Sequence, residues 1–574
     1  MENALYNDNP DQWSELIKIC QETSKDVLGF KKKKQKNCNL IIEELSRKQK
    51  KLRLQMNSNL NKAEKIKLKS ERNKIMHEIQ YKLKEERNKQ ETNKIKTIEN
   101  AKDDSSKMFQ AMRIINKDKH KEKIILKENE ELITNENVIT DRITNFFKDI
   151  FSKPNGNTKF DQIEPMQMKK TFTAIEVENA IRKLKNNKSA GSDLIHAEQL
   201  KHGPKILYSC IANIYNNIAK TGKFPSEIKK GILIPLHKNG KEKGKIENLR
   251  PIILLNMIRK ILAIIMITRI YDKIDAEIPV TQTAYRPGRS TTENVFTFKV
   301  LTEKAICTSN YEINILLLDM SKAFDSINRD ILIEDLAGIL DEDELHILKI
   351  LIEDVSLQVR NGKTLGESFT TNIGVPQGDC LSPVLFTLYL ANALKKQNSA
   401  LNFEGDHETY ACVNIDSEKL LPIHLQDHNY DTKTNKIKMF DQQYADDISW
   451  IGNSKQKLSD KEEEVTKLLA NRNLKINKSK TENICVSKKG TDEWKNCKYL
   501  GSYFDTVKDV CHRKKMSMAT YQKYKTILQS KKISLVVRMR IFNAYIASIF
   551  LYNSELWTIT KKLAMTLIFF REIC

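Results

Sequence analysis

No CxxC pair occurs in the 574 residues, and the 10 cysteines lie scattered, which argues against a zinc ribbon or a disulfide framework and fits a reducing compartment. Long apolar runs are missing too. The longest, ILAIIMI at Ile261 to Ile267, is far short of the roughly 20 residues a bilayer requires, and no N-terminal signal pattern is present. A soluble, intracellular protein with no membrane partner and no secretion is therefore expected. Residues 31 to 100 contain neither glycine nor proline, so nothing in this stretch breaks a helix.

What is abundant is positive charge. The chain carries a formal +23 with a pI near 9.3, which makes a polyanion, most often nucleic acid, the expected partner. Residues 31 to 100 hold 22 Lys and Arg against 9 Glu, and their sparse Ile and Leu suggest long polar helices with a weak apolar stripe. Such an arm suits a solvated helical hairpin or partly disordered arm on one reading and a grip on nucleic-acid phosphates on the other. KKKKQK at Lys31 to Lys36 is a candidate nuclear-import signal. At this length one core is not enough, so several domains are expected. The turn-rich SKPNGNTKF at Ser152 to Phe160 marks one boundary, after which short β-like runs alternate with helical patterns. Beyond about Val507 the pattern returns to helix, and SLVVRMRIFNAYIASIFLYNSELW is apolar on enough faces to be largely buried.

DQQYADDISWIG, Asp441 to Gly452, sets Asp446 beside Asp447 between two short alternating runs. Adjacent carboxylates repel unless a cation, basic groups or open water relieve them. A third acid, Asp319, closes the continuous apolar run Ile313 to Leu318, which reads as a strand buried on both faces. Phe324, Ile327 and Ile331 then recur at three and four residues, as on an amphipathic helix. In GVPQGDCLSPVLFTLYLANAL, Ser382 suits an N-cap with Pro383 opening the helix, and Gly374 and Gly378 allow close backbone approach to a ligand. Lys238, Arg250, Arg286 and Arg289 stand beside strand-like runs, which suits phosphate neutralisation. His407, His424 and His428 are irregularly spaced in a polar stretch and read as an exposed loop rather than a metal site.

From Ala174 to Trp557 these blocks, in this order, resemble the reverse transcriptase of non-LTR (LINE-type) retrotransposons. KSAGSDLIHAEQLK resembles the leading block, and NLRPIILLNMIRKILAIIMITRI with QTAYRPGRSTTENV the fingers blocks. DMSKAFD, GVPQGDCLSP and YADD match the first three palm motifs, LKINKSKTENI and CKYLGSYFD resemble the fourth palm motif and the primer grip, and LYNSELW a thumb block. The resemblance implies an α+β right-hand polymerase with fingers, palm and thumb and a basic N-terminal helical extension. Its expected parts are a connector at 1–150, the leading block at 151–216, fingers and palm at 217–505 and an incomplete thumb at 506–574. It implies an RNA-directed DNA polymerase that binds an RNA template, a DNA primer and deoxynucleoside triphosphates, with two Mg2+ ions, or Mn2+, on Asp319, Asp446, Asp447 and the Met320 carbonyl. Lys238 and Arg250 become triphosphate contacts, Gln377 and Gly378 the floor beneath nucleotide and template, Lys480 a proton donor to pyrophosphate or else a surface lysine of NKSKTEN, and Phe324 the residue beside the sugar or else an ordinary core residue of its helix. Tyr499, Leu500 and Gly501 become the primer grip, and Arg286 and Arg289 nucleic-acid contacts. For Asp325 a helix-start or salt-bridge role is the plainer expectation. The chain opens with what resembles the connector after an endonuclease and carries no terminal Cys/His knuckle, so a fragment served by a separate endonuclease in the nucleus is expected. The rival reading is an idle nucleic-acid-binding remnant. An RNA-directed RNA polymerase is disfavoured, because its third motif usually reads Gly-Asp-Asp and because Phe324 is bulky.

Overall fold

The computed structural model describes residues 12–29, 40–56, 62–101, 104–116, 124–128, 131–152, 163–238, 240–309, 311–353, 355–400, 411–414, 430–431, 436–439, 441–452, 454–565 and 567. The basic run 31–36 and the three histidines 407, 424 and 428 lie outside them. The chain folds as two compact units, one of Met1–Gly29 with Lys123–Asp505 and the other of Phe30–Glu122 with Thr506–Cys574.

The strands of the first unit that position the site are, in chain order, β1 (Lys230–His237), β2 (Leu249–Leu254), β3 (Glu312–Leu318), β4 (Val355–Asn361), β5 (Thr364–Thr371), β6 (Asp441–Tyr444), β7 (Asp447–Gly452), β8 (Glu482–Ser487), β9 (Lys498–Tyr499) and β10 (Ser502–Tyr503). They build two main sheets. The palm sheet has the order β6-β7-β3-β8 and is antiparallel throughout, with Ile448 opposite Leu318, Trp450 opposite Leu316 and Ile484 opposite Ile315. Its central strand is apolar at nearly every position because both faces are covered. Leu316, Leu318, Ile448 and Trp450 join the large core with Leu458, Val465 and Leu469 of the helix Lys455–Ala470, and the helix Thr291–Cys307 packs on the sheet as well. An unbroken apolar run thus arises here in an antiparallel sheet sandwiched by helices.

The fingers sheet has the order β2-β1-β4-β5 and is mixed, β1 running parallel to β4. The helix Glu136–Phe151 buries Ile139, Ile143, Phe147 and Phe151 against it, a spacing of four residues that lines one face. That helix ends where the sequence suggests a boundary, yet its apolar stripe belongs to the first unit. The run ILAIIMI sits in the helix Met257–Asp275, whose Ile258, Ile261, Leu262, Ile265 and Met266 are all buried in the large core. No helix of the described residues is long and apolar enough to cross a membrane.

Two local expectations fail for identifiable reasons. The segment after Asp319 is a 3-10 turn, Ala323–Ser326, followed by a separate helix Arg329–Ala337. Lys322 takes a left-handed φ of 51° and the Asn328 side chain accepts the Asp330 N–H at 3.0 Å, so a cap interrupts the three-and-four spacing. The helix Leu381–Ala400 begins before Ser382: Asp379 accepts the Leu381 N–H at 3.2 Å, and the Ser382 hydroxyl instead donates to Pro376 O at 2.8 Å. Pro383 remains in the first turn, where its missing N–H costs nothing.

In the second unit the helices Leu40–Met56 and Lys62–Glu99 form the expected polar hairpin. Its end and the following helix Ser105–Asn116 share a core with the C-terminal helices: Ile98 of the hairpin and Met108, Ala111 and Met112 of that helix pack with Tyr524, Ile533, Val537 and Ile541, and Glu99 accepts the Ser534 N–H at 3.1 Å. The apolar C-terminal segment is buried in part: Val537 and Ile541 lie in this core, Ile546 is buried too and Trp557 packs with Val510 and Leu563, while Leu535, Val536 and Met539 are exposed. Apolar periodicity locates buried positions only when the partner's width is known, and here the partner is a narrow helix pair. A carboxylate placed in this core would remain uncompensated. Val537→Asp is therefore expected to make residues 62–116 sensitive to limited proteolysis while 123–505 stays resistant, and unchanged protection of 62–116 would contradict the shared core.

Candidate active site

Asp319 directly follows the last residue of β3, where the central palm strand leaves the sheet. Asp446 and Asp447 sit at the β6–β7 hairpin, with Tyr444 opposite Asp447, so Ala445 and Asp446 form the two-residue turn. Ala445 has φ of 55°, a left-handed value that a residue with a Cβ rarely adopts. Asp319 and Asp446 line one cleft of about 1040 Å3, together with Met320, Lys238, Arg250, Lys322, Phe324, Gln377, Gly378, Tyr285 and Lys480. Asp447 lies outside that lining.

The electrostatics are those of crowded acids beside crowded bases. Burial and then Asp319 hold the Asp446 carboxyl above its ordinary range, and burial, Asp446 and Asp319 push Asp447 up to about 6. Lys480 Nζ lies 2.6 Å from Asp319 Oδ2, and Asn477 Nδ2 donates to the same oxygen at 3.3 Å. Burial lowers the Lys238 ammonium, and the like charges of Arg250, Lys322 and Lys480 lower it further. Four cations crowded in one cleft repel one another, and a polyphosphate relieves that repulsion.

Among the described residues, no three acidic, His or Cys side chains close into a ready metal cage. The donor set nevertheless suits Mg2+, which is commonly held by one or two carboxylates together with substrate phosphates. Asp319, Asp446 and the Met320 carbonyl are hard oxygen donors, and the mutual repulsion of the acids is what a divalent cation relieves.

The floor of the cleft is built differently from expectation. Gly374 and Gly378 admit close approach by the chain's own backbone: a Cβ on Gly374 would lie 2.8 Å from Asp325 O, and one on Gly378 2.4 Å from Ile253 O. Both have positive φ, 75° and 129°, and the Ile253 N–H donates to Gln377 O at 2.8 Å. Asp325, expected to do no more than start a helix or pair with a base, is buried and accepts Gln377 Nε2 at 2.8 Å. Burial pushes its carboxyl up to about 6 although that bond, Lys322 and Lys238 all pull it down. The first palm motif thereby holds the second.

Phe324 is half-buried. Its ring stacks on Phe386 at 4.4 Å, and Tyr285 meets it edge-on at 6.5 Å. It is thus both a core residue and part of the cleft wall. Tyr499 is buried among Phe298 and Phe504, its hydroxyl 3.4 Å from Ser449 Oγ and from Asn294 Nδ2. Leu500 and Gly501 form the turn between β9 and β10 with φ of 46° and 85°, a geometry suited to tight hairpins. Arg286 and Arg289 point inward. Arg286 pairs with Asp275 at 2.8 Å and Arg289 with Glu293 at 2.5 Å, and both also donate to main-chain carbonyls. Two cleft residues escape sequence reasoning. Lys322 lies inside DMSKAFD, where the flanking acids drew the eye, and Tyr285 lies inside QTAYRPGR, where the arginines did.

Comparison with known proteins fits this geometry. The family described as "Reverse transcriptase (RNA-dependent DNA polymerase)" matches residues 236–504. The chain is 27% identical over 433 residues to a probable RNA-directed DNA polymerase from transposon BS of Drosophila melanogaster, covering 70% of this chain and 44% of that protein. It is 26% identical over 233 residues to the RNA-directed DNA polymerase from mobile element jockey of the same fly, covering 40% and 25%. The chain therefore spans less than half the length of these curated relatives. Among solved structures, an apo telomerase from Candida tropicalis has a TM-score of 0.33 at 14% identity, covering 49% of this chain and 54% of that one, too distant a likeness to carry weight. The family match runs from the β1 strand beside Lys238 to the Tyr499 hairpin, and the relatives come from mobile elements: over this span the chain is similar to the reverse transcriptases of such elements.

Proposed function

We propose that this chain is an RNA-directed DNA polymerase that extends a DNA primer on an RNA template with deoxynucleoside triphosphates. The observation that carries the reading is the pairing, in one cleft, of Asp319 and Asp446 with the cations Lys238, Arg250, Lys322 and Lys480. Divalent ions held by Asp319, Asp446 and the Met320 carbonyl would supply a deprotonated primer hydroxyl and relief of charge at the reacting phosphate.

The chain's own groups do the rest. Lys238, Arg250 and Lys322 bind the triphosphate, which no neutral surface would hold in water. Asp447, behind the cleft lining, adds negative charge that favours cations at Asp319 and Asp446. Lys480, now on Asp319, is placed to swing to the leaving pyrophosphate and donate a proton there. Gln377, held by Asp325, and Gly378 floor the nucleotide, while the turn of half-buried Leu500 and exposed Gly501 supports the primer end. Phe324, wedged by Phe386, cannot retreat from the sugar. The polar face of the helix Lys62–Glu99 binds nucleic-acid phosphates. The basic run Lys31 to Lys36 is the feature that favours a nuclear location.

Asp446→Asn is expected to lower primer extension by at least about a thousandfold, because a lost ligand costs several kcal/mol of transition-state stabilisation, with template–primer affinity within about threefold. Activity within tenfold of wild type would sink the assignment. Phe324→Ala should lower the kcat/KM preference for a deoxynucleotide over the matching ribonucleotide by at least about tenfold, some 1.4 kcal/mol. Loss of stability with an unchanged preference would make the ring a core residue only. Replacing the exposed Lys65, Lys67, Lys69 and Lys74 by Gln should flatten the slope of log affinity against log salt by roughly 0.7 to 0.9 per lost contact. An unchanged slope would mean that this face meets only solvent.

A further inference from the structure

The strained turn that carries Asp446 is held by one side chain from a distant part of the sequence. Gln282 is completely buried. Its Oε1 accepts the Ala445 N–H at 2.9 Å and the Ala284 N–H at 3.1 Å, and its Nε2 donates to Ala445 O at 3.4 Å. A single carboxamide thus engages both main-chain polar groups of the residue whose left-handed φ of 55° sets the direction of Asp446.

The segment around Gln282 is itself anchored to the catalytic hairpin. Gln443 N–H donates to Thr281 O at 3.0 Å and Thr283 N–H to Gln443 O at 3.1 Å, so residues 281–283 run alongside β6 in parallel. Thr281 Oγ1 bonds Asp441 Oδ2 at 3.2 Å. Arg286 donates to Pro279 O at 3.0 Å and to Gln282 O at 3.3 Å, and Arg289 donates to Val280 O at 2.7 Å. The two guanidiniums therefore stiffen the segment from which Gln282 reaches the turn.

A residue with a Cβ enters the left-handed region only where its surroundings impose it. Without the carboxamide, Ala445 would relax toward negative φ, and the peptide plane leading to Asp446 would rotate with it. Hydrogen bonds that orient a metal-binding group commonly matter for metal affinity as much as the ligand's own chemistry does.

We propose that Gln282 is a positioning residue: by clamping Ala445 in its left-handed turn it fixes where the Asp446 carboxylate enters the cleft, and so sets the affinity of the site for divalent cations. This rests on the polymerase reading, in which Asp446 is a metal ligand. Gln282 itself touches neither nucleotide nor primer.

The test uses the full chain as wild type, Gln282→Leu, Gln282→Asn, Ala445→Gly, Gln282→Leu with Ala445→Gly, and Asp446→Asn. Mn2+ binding is measured by the electron paramagnetic resonance of the free ion, without nucleotide or nucleic acid, and Asp446→Asn defines the site. Single-nucleotide incorporation gives kcat and KM. Gln282→Leu removes donor and acceptor at similar volume and should weaken Mn2+ binding about tenfold and lower kcat about tenfold, with the nucleotide KM changed less than about threefold. Gln282→Asn keeps the amide one methylene short and should lie between the two, which preserves the comparison should the leucine variant not fold. Glycine adopts the left-handed turn unaided, so Ala445→Gly should restore at least about threefold of both losses in the leucine background. Mn2+ affinity within twofold of wild type in the Gln282 variants, or losses that glycine at 445 does not reduce, would overturn the proposal and leave Gln282 a support of the sheet edge. A wild-type chain that binds Mn2+ through Asp446 yet extends no primer would count against the polymerase reading instead, while the Mn2+ comparison would still decide the role of Gln282.

Discussion

Repulsion among Asp319, Asp446 and Asp447 is the constraint around which the first unit is organised. Burial and mutual proximity raise Asp446 and Asp447 above the ordinary carboxylate range, so the charged state is unfavourable unless cations share the space. A chain free to relax would swing these side chains toward water. They stay because their backbones are fixed: β3 is the central strand, paired on both sides, and the β6–β7 hairpin turns at its mouth. Stability supplied by the apolar core thus maintains an arrangement that opposes it locally, which is where strain tends to persist in active sites.

The same trade appears with the opposite sign across the cleft. Lys238, Arg250, Lys322 and Lys480 come from the end of β1, the start of β2, the turn after β3 and the approach to β8, and burial, followed by their mutual repulsion, lowers the Lys238 ammonium. Among the three palm acids and these four cations, the ion pair within 4 Å is Lys480 on Asp319. That pair is half exposed, so water screens it and little energy opposes its separation. A lysine that leaves its carboxylate at small cost is well suited to follow charge as it moves to a leaving group.

Much of this was legible in the sequence because it depends on local pattern. The apolar run ending at Asp319 read as a strand buried on both faces, which it is, and Asp446 beside Asp447 read as acids in need of a cation or basic groups, while the hairpin that carries them is visible only in the structure. What escaped depends on contacts between distant segments. Asp325 looks like a helix-start acid until Gln377 is seen on it, and Arg286 and Arg289 look like phosphate ligands until Asp275, Glu293 and the main-chain carbonyls are seen to occupy them. The basic arm shares a core with the C-terminal helices, which its weak apolar stripe could not announce. Gln282 opens the block QTAYRPGRSTTENV, yet nothing there shows that it reaches a turn 163 residues away.

The most direct test of the account is templated incorporation of a single nucleotide. The full chain is given a DNA primer annealed to an RNA template, Mg2+, and one deoxynucleoside triphosphate at a time. The account expects the nucleotide complementary to the first RNA base to be added in preference to the three others by a factor of about a hundred or more, the range reached when site geometry reinforces base pairing. A chain that binds this primer–template yet adds no complementary nucleotide, or adds all four alike, would contradict it.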